Sequence, residues 1–507
     1  MNERRVGIFI SYFNIILQVV IAMVYVPMLL KYIGTSEYGI YQLIGSLIAY
    51  FSVMDFGLTS TIIRFYTKYK AVQDRISMEN ILAIAMRGFI VITAIILIIG
   101  IVVYFFIDDI FNYSMTSAEI KSAKSLFILL LVNVMITLLT MTYKAIINAH
   151  EKFFFLKIIE SFQLILQPIL VWLILQQYPF AFSVAMVQTI LNVAMTLIRI
   201  YYCYFYLHIK VKFHYWNDEL RNSIGKLAFS TFVVAIVDQI FFRTNQVILG
   251  VISGTSAVAI YSIAALIYIN YMSLSWAISG VYLPHVTEMI SLKRSKEEIS
   301  NLFIKVGYWQ FLILGLFLSG FILYGKEFIN IWAGKEFLDA YWATVIILVP
   351  FTVDLIENIA ICIMQAKNTY GFRARTYFIM GIFNIILGIP AAHIYGVMGC
   401  AVVTGLMMFL GNGLVMNYYY KKYLYIDIKS FWFKISNILC KIIILMLITA
   451  FIRGCLIDFG AEFTDIKIFI ISIVTYAILY ILTIYFFVFT ANEKKIINSM
   501  FSRLGKI

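Results

Sequence analysis

Residues 88–107 read GFIVITAIILIIGIVVYFFI, twenty consecutive residues without a charge. A helix of about 20 apolar residues crosses the hydrocarbon of a bilayer. Ile468–Ala491 is likewise free of charge. Working outward from these two stretches, apolar spans fall near 6–30, 39–63, 82–107, 125–143, 155–177, 181–207, 226–251, 256–282, 303–324, 341–366, 375–395, 398–420, 435–457 and 468–490. The expectation is an all-α integral membrane protein with about 14 transmembrane helices. A 63% hydrophobic and 13% charged composition excludes an ordinary soluble domain.

The basic residues orient these spans. Of the 39 Lys and Arg, twenty-eight lie at the N-terminus, in every second gap and in the tail, seven lie in the intervening gaps, and four lie inside spans. Such alternation predicts that both termini are cytoplasmic. The net charge of +13 therefore reads as loop charge facing anionic headgroups, with no call for nucleic acid. The N-terminus is basic and then apolar without a small-residue cleavage site, so it is expected to be the first permanent helix. Cys203, Cys362, Cys400, Cys440 and Cys455 form no C-x-x-C pair, and the five histidines are scattered. Neither a disulfide framework nor a metal site is indicated.

An internal repeat sits at an offset of 220 residues. Gly34-Thr35-Ser36-x-x-x-Ile40-Tyr41 matches Gly254-Thr255-Ser256-x-x-x-Ile260-Tyr261. Each copy occupies the outer hairpin between the first and second helix of its half. Six helices per repeat is even, so the halves share one orientation, as in transporters built from parallel repeats. The expected domains are a six-helix lobe at 1–207, a cytoplasmic connection at 208–225, a second six-helix lobe at 226–422, and two extra helices with a tail at 423–507. No gap could house a soluble domain.

Ionisable groups inside spans are costly unless they face a cavity or a partner. The seventh span holds Thr231, Asp238, Gln239, Arg243, Asn245 and Gln246 within about half the helix circumference. A cavity-lining face is one reading, and pairing that locks helices together is the other. In the tenth span Asp354, Glu357, Asn358 and Gln365 share a face. Two acids one turn apart form a proton or ion-coupling candidate, unless each pairs with a neighbouring cation. Arg64, Arg87 and Arg199 lie toward cytoplasmic ends, where snorkelling to headgroups is the bland alternative, as it is for Lys441. Asp55, in Asp55-Phe56-Gly57-Leu58, is a candidate whose alternative is a cap at a weak point of the helix. Gly320-x-x-x-x-Gly325-Lys326 resembles the start of a phosphate loop, but Glu327 replaces the required Ser or Thr.

The chain resembles bacterial oligosaccharide-lipid flippases. The resemblance rests on Tyr32-Ile33-Gly34, Glu37-Tyr38-Gly39-Ile40-Tyr41, Asp55-Phe56-Gly57-Leu58 and Arg64. It continues through Glu151-Lys152-Phe153, Val258-Ala259-Ile260-Tyr261-Ser262 and Ile331-Trp332-Ala333-Gly334-Lys335-Glu336-Phe337. It implies a two-lobed transporter of the multidrug/oligosaccharidyl-lipid/polysaccharide superfamily in a bacterial cell membrane. It further implies movement of undecaprenyl-pyrophosphate-linked sugar repeat units to the outer leaflet, without a cofactor. Glycosyltransferases and a polysaccharide polymerase would be its partners. Arg64 matches the family's basic position in the second helix, and Arg provides bidentate donors for phosphate. The alternative is an ion-coupled multidrug or small-molecule exporter of the same fold, resting mainly on acidic residues. A polymerase or ligase would be expected to carry a large external loop, which this chain lacks.

Overall fold

A computed structural model describes residues 3–216, 218–367, 369–458 and 463–495, with side chains from residue 13 onward except 15–16 and 218–234. Thr231, and among the basic residues counted above Arg4, Arg5, Arg221, Lys226, Arg503 and Lys506, lie outside the described side chains. Every regular element among the described residues is helical. The helices are α1 (Glu3–Ser52), α2 (Leu58–Ala71), α3 (Arg75–Phe111), α4 (Ser117–Ala149), α5 (Phe153–Leu175), α6 (Ala181–Tyr201) and α7 (Asp218–Ser291). They continue as α8 (Lys296–Trp332), α9 (Asp339–Ile356), α10 (Ile359–Ala366), α11 (Tyr370–Met408), the single turn α12 (Asn417–Tyr419), α13 (Ile428–Asp458) and α14 (Ile466–Thr483). Wider π-helical turns at Phe409–Met416 and Tyr420–Leu424 flank α12. In hydrocarbon every backbone polar group must be satisfied within the chain, which a helix does by itself.

Among the described residues, eleven helical stretches are long and apolar enough to cross a membrane. Three of the long helices bend at a glycine with non-helical dihedrals: Gly34 in α1, Gly254 in α7 and Gly396 in α11. Each falls where the sequence places a connection between two spans. Gly34 (φ 75°, ψ 176°) and Gly254 (φ 80°, ψ −173°) adopt nearly the same conformation, in a region essentially reserved for glycine. The two copies of the repeat therefore share a backbone as well as a sequence. Pro27, Pro168, Pro284, Pro350 and Pro390 all lie inside helices, where each removes one backbone hydrogen bond.

The chain divides into two compact units. Unit 1 comprises Met1–Ser262 with Gly388–Val397, and unit 2 comprises Ile263–Leu387 with Met398–Ile507. In unit 1, α1 packs on α5 and α4, and α4 packs on α3 and α6. In unit 2, α8 packs on α9, α13 and α14. Ile98 and Phe105 of α3 and Ile471 and Phe487 at the chain's last span are each more than 60% exposed. A surface this apolar suits lipid and would be unfavourable against water.

Candidate functional site

The densest buried polar network is in unit 2, around the break between α9 and α10. Glu357 ends α9 with φ −98°, ψ 4°, and the interruption frees backbone groups that an unbroken helix would pair. Ser275 Oγ donates to the Leu355 carbonyl at 2.7 Å and accepts from Asn358 Nδ2 at 2.8 Å and Gln310 Nε2 at 3.2 Å. One turn before the break, Asp354 meets Arg373 of α11. Arg373 Nη2 donates to Asp354 Oδ1 at 2.9 Å and Oδ2 at 3.2 Å, and Tyr377 Oη donates to Oδ2 at 2.8 Å. Asp354 and Arg373 are 5% and 6% exposed. Such a pair persists in low dielectric only because each charge and its remaining donors are matched.

Glu357, 1% exposed, is held differently. Asn417 Nδ2 donates to its Oε2 at 3.1 Å and to the Asn412 carbonyl at 3.0 Å. Trp432 Nε1 in turn donates to Asn417 Oδ1 at 2.9 Å. Glu357 Oε1 is buried with no hydrogen-bond partner among the described residues. The π-helical turn Phe409–Met416 supplies the Asn412 carbonyl, and wide turns of this kind recur at functional sites.

In unit 1 the two repeat copies touch at the face whose connections carry few basic residues. Glu119, the third residue of α4, accepts from the Thr116 backbone N–H at 2.8 Å and hydroxyl at 2.9 Å, both on Oε2. Thr116 returns the favour to the Glu119 N–H, completing a capping box. The other oxygen, Oε1, accepts from Ser36 Oγ at 2.5 Å and Thr255 Oγ1 at 2.8 Å, one from each repeat copy. The backbones are as close as the side chains: a Cβ on Gly39 would stand 2.0 Å from the Thr255 carbonyl oxygen. Nearby, Ser114 Oγ donates to the Gly250 carbonyl at 2.7 Å. Glu37 adds a further tie, accepting from the Ala181 N–H at the start of α6 at 2.8 Å and from Ser122 Oγ at 3.0 Å.

The remaining residues singled out from sequence fall in several places. Asp55 accepts from the Thr59 N–H at 3.3 Å and hydroxyl at 3.1 Å, beside left-handed Phe56 and Gly57, so it takes up the capping geometry at a break. Arg64 is exposed and lies 5.9 Å from the Phe65 ring. Arg87 stacks 3.7 Å over Phe213 and 5.8 Å from Trp216, in the connection that Asn80 pins through the His214 and Tyr215 N–H groups. Arg199 is half-buried, and its Nε has no hydrogen-bond partner among the described residues. On α7, Asp238 is exposed and Arg243 half-buried. Tyr50 meets Thr244 Oγ1 at 2.5 Å and lies close enough to feel the Arg243 charge. The polar run does not act as one face. Asn245 and Gln246 turn inward, donating to Tyr261 Oη and Ser262 Oγ at 2.9 Å each, because the hairpin at Gly254 folds the next span onto that side.

Several participants escaped the sequence reading. Arg373 stands in a basic gap and reads there as a loop cation, yet it is buried on Asp354. Glu119 carries a legible signal, the Thr116-x-x-Glu119 spacing of a capping box, but nothing in the sequence links it to Ser36 and Thr255. Between α4 and α5, His150 Nε2 meets Tyr66 Oη at 3.0 Å and Nδ1 meets Lys70 Nζ at 3.2 Å. Burial first, then Lys70 and Lys152, pushes the His150 imidazole down to about 4, so it is neutral at physiological pH. The glycines of Gly320-x-x-x-x-Gly325-Lys326 lie within continuous α8, with no loop to cradle a phosphate.

An all-helical, multi-span scaffold with polar clusters buried among its helices defines an integral membrane protein. The chain belongs to the polysaccharide biosynthesis protein family, whose profile matches residues 6–290. It is 24% identical over 206 residues to the probable low-salt glycan biosynthesis flippase Agl15 of Haloferax volcanii, covering 41% of each chain. It is 27% identical over 183 residues to the probable flippase AglR of the same organism, covering 34% of this chain and 36% of that one. These matches span about two fifths of the length of the curated relatives. Among solved structures, the lipid II flippase MurJ in an inward closed conformation shares the fold over 95% of this chain and 98% of that one, with a TM-score of 0.74 and 19% identity. A multidrug resistance MATE transporter of the MOP superfamily, inward-facing, covers 78% and 96% with a TM-score of 0.61 and 12% identity.

Proposed function

We propose that this protein is a flippase that carries a lipid-linked oligosaccharide across the cell membrane for surface glycan synthesis. The substrate class is an undecaprenyl-pyrophosphate-linked repeat unit, moved from the cytoplasmic to the outer leaflet. Each of the three glycine-bent helices counts as two crossings, which makes fourteen spans in two six-helix lobes with both termini cytoplasmic. The observation that carries the reading is the family match over residues 6–290. The charges of unit 1 support it. Arg64, at the cytoplasmic end of its span, and Arg243, within its own, form no ion pair among the described residues. Unmatched arginines are what a pyrophosphate requires on its way through hydrocarbon, because their donors fit phosphate oxygens.

The test is transport in proteoliposomes. Undecaprenyl-pyrophosphate glycans placed in one leaflet should reach the other in a protein-dependent way, whereas cationic drugs should not move. Drug efflux without glycan translocation would replace this reading with that of a multidrug exporter.

Coupling is assigned to Glu357. Its unpartnered Oε1 is a vacant acceptor for a proton or small cation, and the break at 357–358 lets the residue exchange partners without distorting a continuous helix. Glu357→Gln should remove the pH dependence of transport while the variant melts like wild type. An unchanged pH–activity curve would reject the assignment.

A further inference from the structure

A second charged cluster lies in unit 1, where the ends of α4 and α6 meet the start of α5, on the face rich in basic connections. Its central carboxylate is Glu160. Lys157 Nζ lies 2.7 Å from Glu160 Oε2 and Lys144 Nζ lies 3.3 Å from Oε1. Both oxygens are therefore already engaged. Arg199 lies near enough to be acted on by the same carboxylate, but its Nε is buried without a hydrogen-bond partner among the described residues. Three cations thus surround one anion, leaving an excess of two positive charges. The cluster is open on one side: the Lys144, Lys157 and Glu160 side chains are 38%, 32% and 27% exposed. Its floor is fixed, because Ser161 Oγ donates to Asn14 Oδ1 at 2.6 Å and Asn14 Nδ2 donates to the Lys157 carbonyl at 3.3 Å, tying α1 to α5.

Excess charge at the end of a membrane span is met by water, by headgroups or by a bound anion, and a buried guanidinium Nε has no access to the first of these. A headgroup carrying one negative charge would leave the cluster cationic. A group with two would neutralise it, and two ammonium groups with a guanidinium Nε suit its oxygens. We propose that Lys144, Lys157 and Arg199 form a binding site for a doubly charged phosphate group, of the pyrophosphate or phosphomonoester kind, with Glu160 holding the lysines in place and competing with the ligand. The site stands on its own charges. Only its use as an entry station for the exported lipid rests on the function proposed above.

Inorganic pyrophosphate is the probe, added to the full-length protein in phosphatidylcholine nanodiscs, and thermal unfolding is the readout. Pyrophosphate should raise the melting temperature of wild type. Lys157→Gln and Arg199→Gln should each weaken binding roughly tenfold, the loss of one charge-assisted contact. Glu160→Gln should tighten it several-fold, which a purely structural carboxylate would not do. Should Glu160→Gln fail to fold, Lys144→Gln serves in its place and must weaken binding. Nanodiscs doped with phosphatidylglycerol separate the two phosphate sources. Competition by that lipid with no effect of pyrophosphate would overturn the proposal in favour of a singly charged headgroup. A wild-type melt indifferent to pyrophosphate, or tighter binding after loss of Lys157 or Arg199, would overturn it as well. Because binding alone is read, the site can fail while transport stands, or the reverse.

Discussion

In the interior of unit 2, Asp354 and Arg373 lie on each other and share Tyr377, while Glu357 beside them is held by the neutral Asn417. In unit 1, Arg64 at the end of its span and Arg243 within its own form no ion pair among the described residues, and Arg199 shares the Glu160 carboxylate with two lysines. The contrast separates two uses of charge in a membrane protein. A matched pair adds little net stability against an apolar equivalent, but removing one partner is severe. An unmatched cation is retained where a ligand or headgroup completes it. On the function proposed above, the unpaired arginines of unit 1 would meet the anionic substrate, whereas the Asp354–Arg373 pair of unit 2 is internal and must stay intact.

The comparison breaks most easily at Arg373. Arg373→Ala leaves Asp354 buried without its cation and should lower stability by about 3–5 kcal/mol, read as a large drop in melting temperature in detergent. Arg64→Ala and Arg243→Ala should do the opposite: normal melting but lost export in a flippase-deficient strain. The loss corresponds to about 1.5–3 kcal/mol for a charge-assisted contact, or roughly ten- to a hundredfold in apparent affinity. Lys441→Ala is the control, since its ammonium reaches the Phe487 carbonyl at 2.7 Å and should not be needed for export. Wild-type complementation by both arginine variants would erase the distinction between the units. A finer probe lies within the repeat. Gly39→Ala drives a Cβ against the Thr255 carbonyl, and overpacking of this kind costs about 1–3 kcal/mol. At Gly34 a Cβ would meet nothing within 4 Å, so any loss in Gly34→Ala reports backbone strain alone. Melting curves of the two variants separate crowding from conformation.

The spans were legible because charge-free runs such as Gly88–Ile107 permit little else, and the repeat was legible because Gly34 and Gly254 need the same unusual backbone. The pairing of Asp354 with a basic residue on a neighbour stood among the sequence alternatives, since the i, i+3 spacing of Asp354 and Glu357 marked that face. Its partner did not, because a cation next to a loop and a cation folded back under a helix have identical sequence neighbourhoods. The α7 face was read from a 100° periodicity that treats a helix as isolated. Packing of the following span at the Gly254 bend moved Asn245 and Gln246 inside while Asp238 stayed exposed. Glu160 was invisible for a related reason: its importance comes from Lys144 and Arg199, on helices that only the tertiary fold brings beside it.

Glu119 has a kinetic consequence. One carboxylate oxygen belongs to its own helix cap and the other joins Ser36 to Thr255. If the two hairpins part, the cap contacts of Oε2 remain, so the side chain keeps its rotamer and its aim. Rejoining then requires only that the hairpins return, with no conformational search by the carboxylate and little side-chain entropy left to lose. The clasp stays fastened at one end, and the speed of reclosure is set by the motion of the helices.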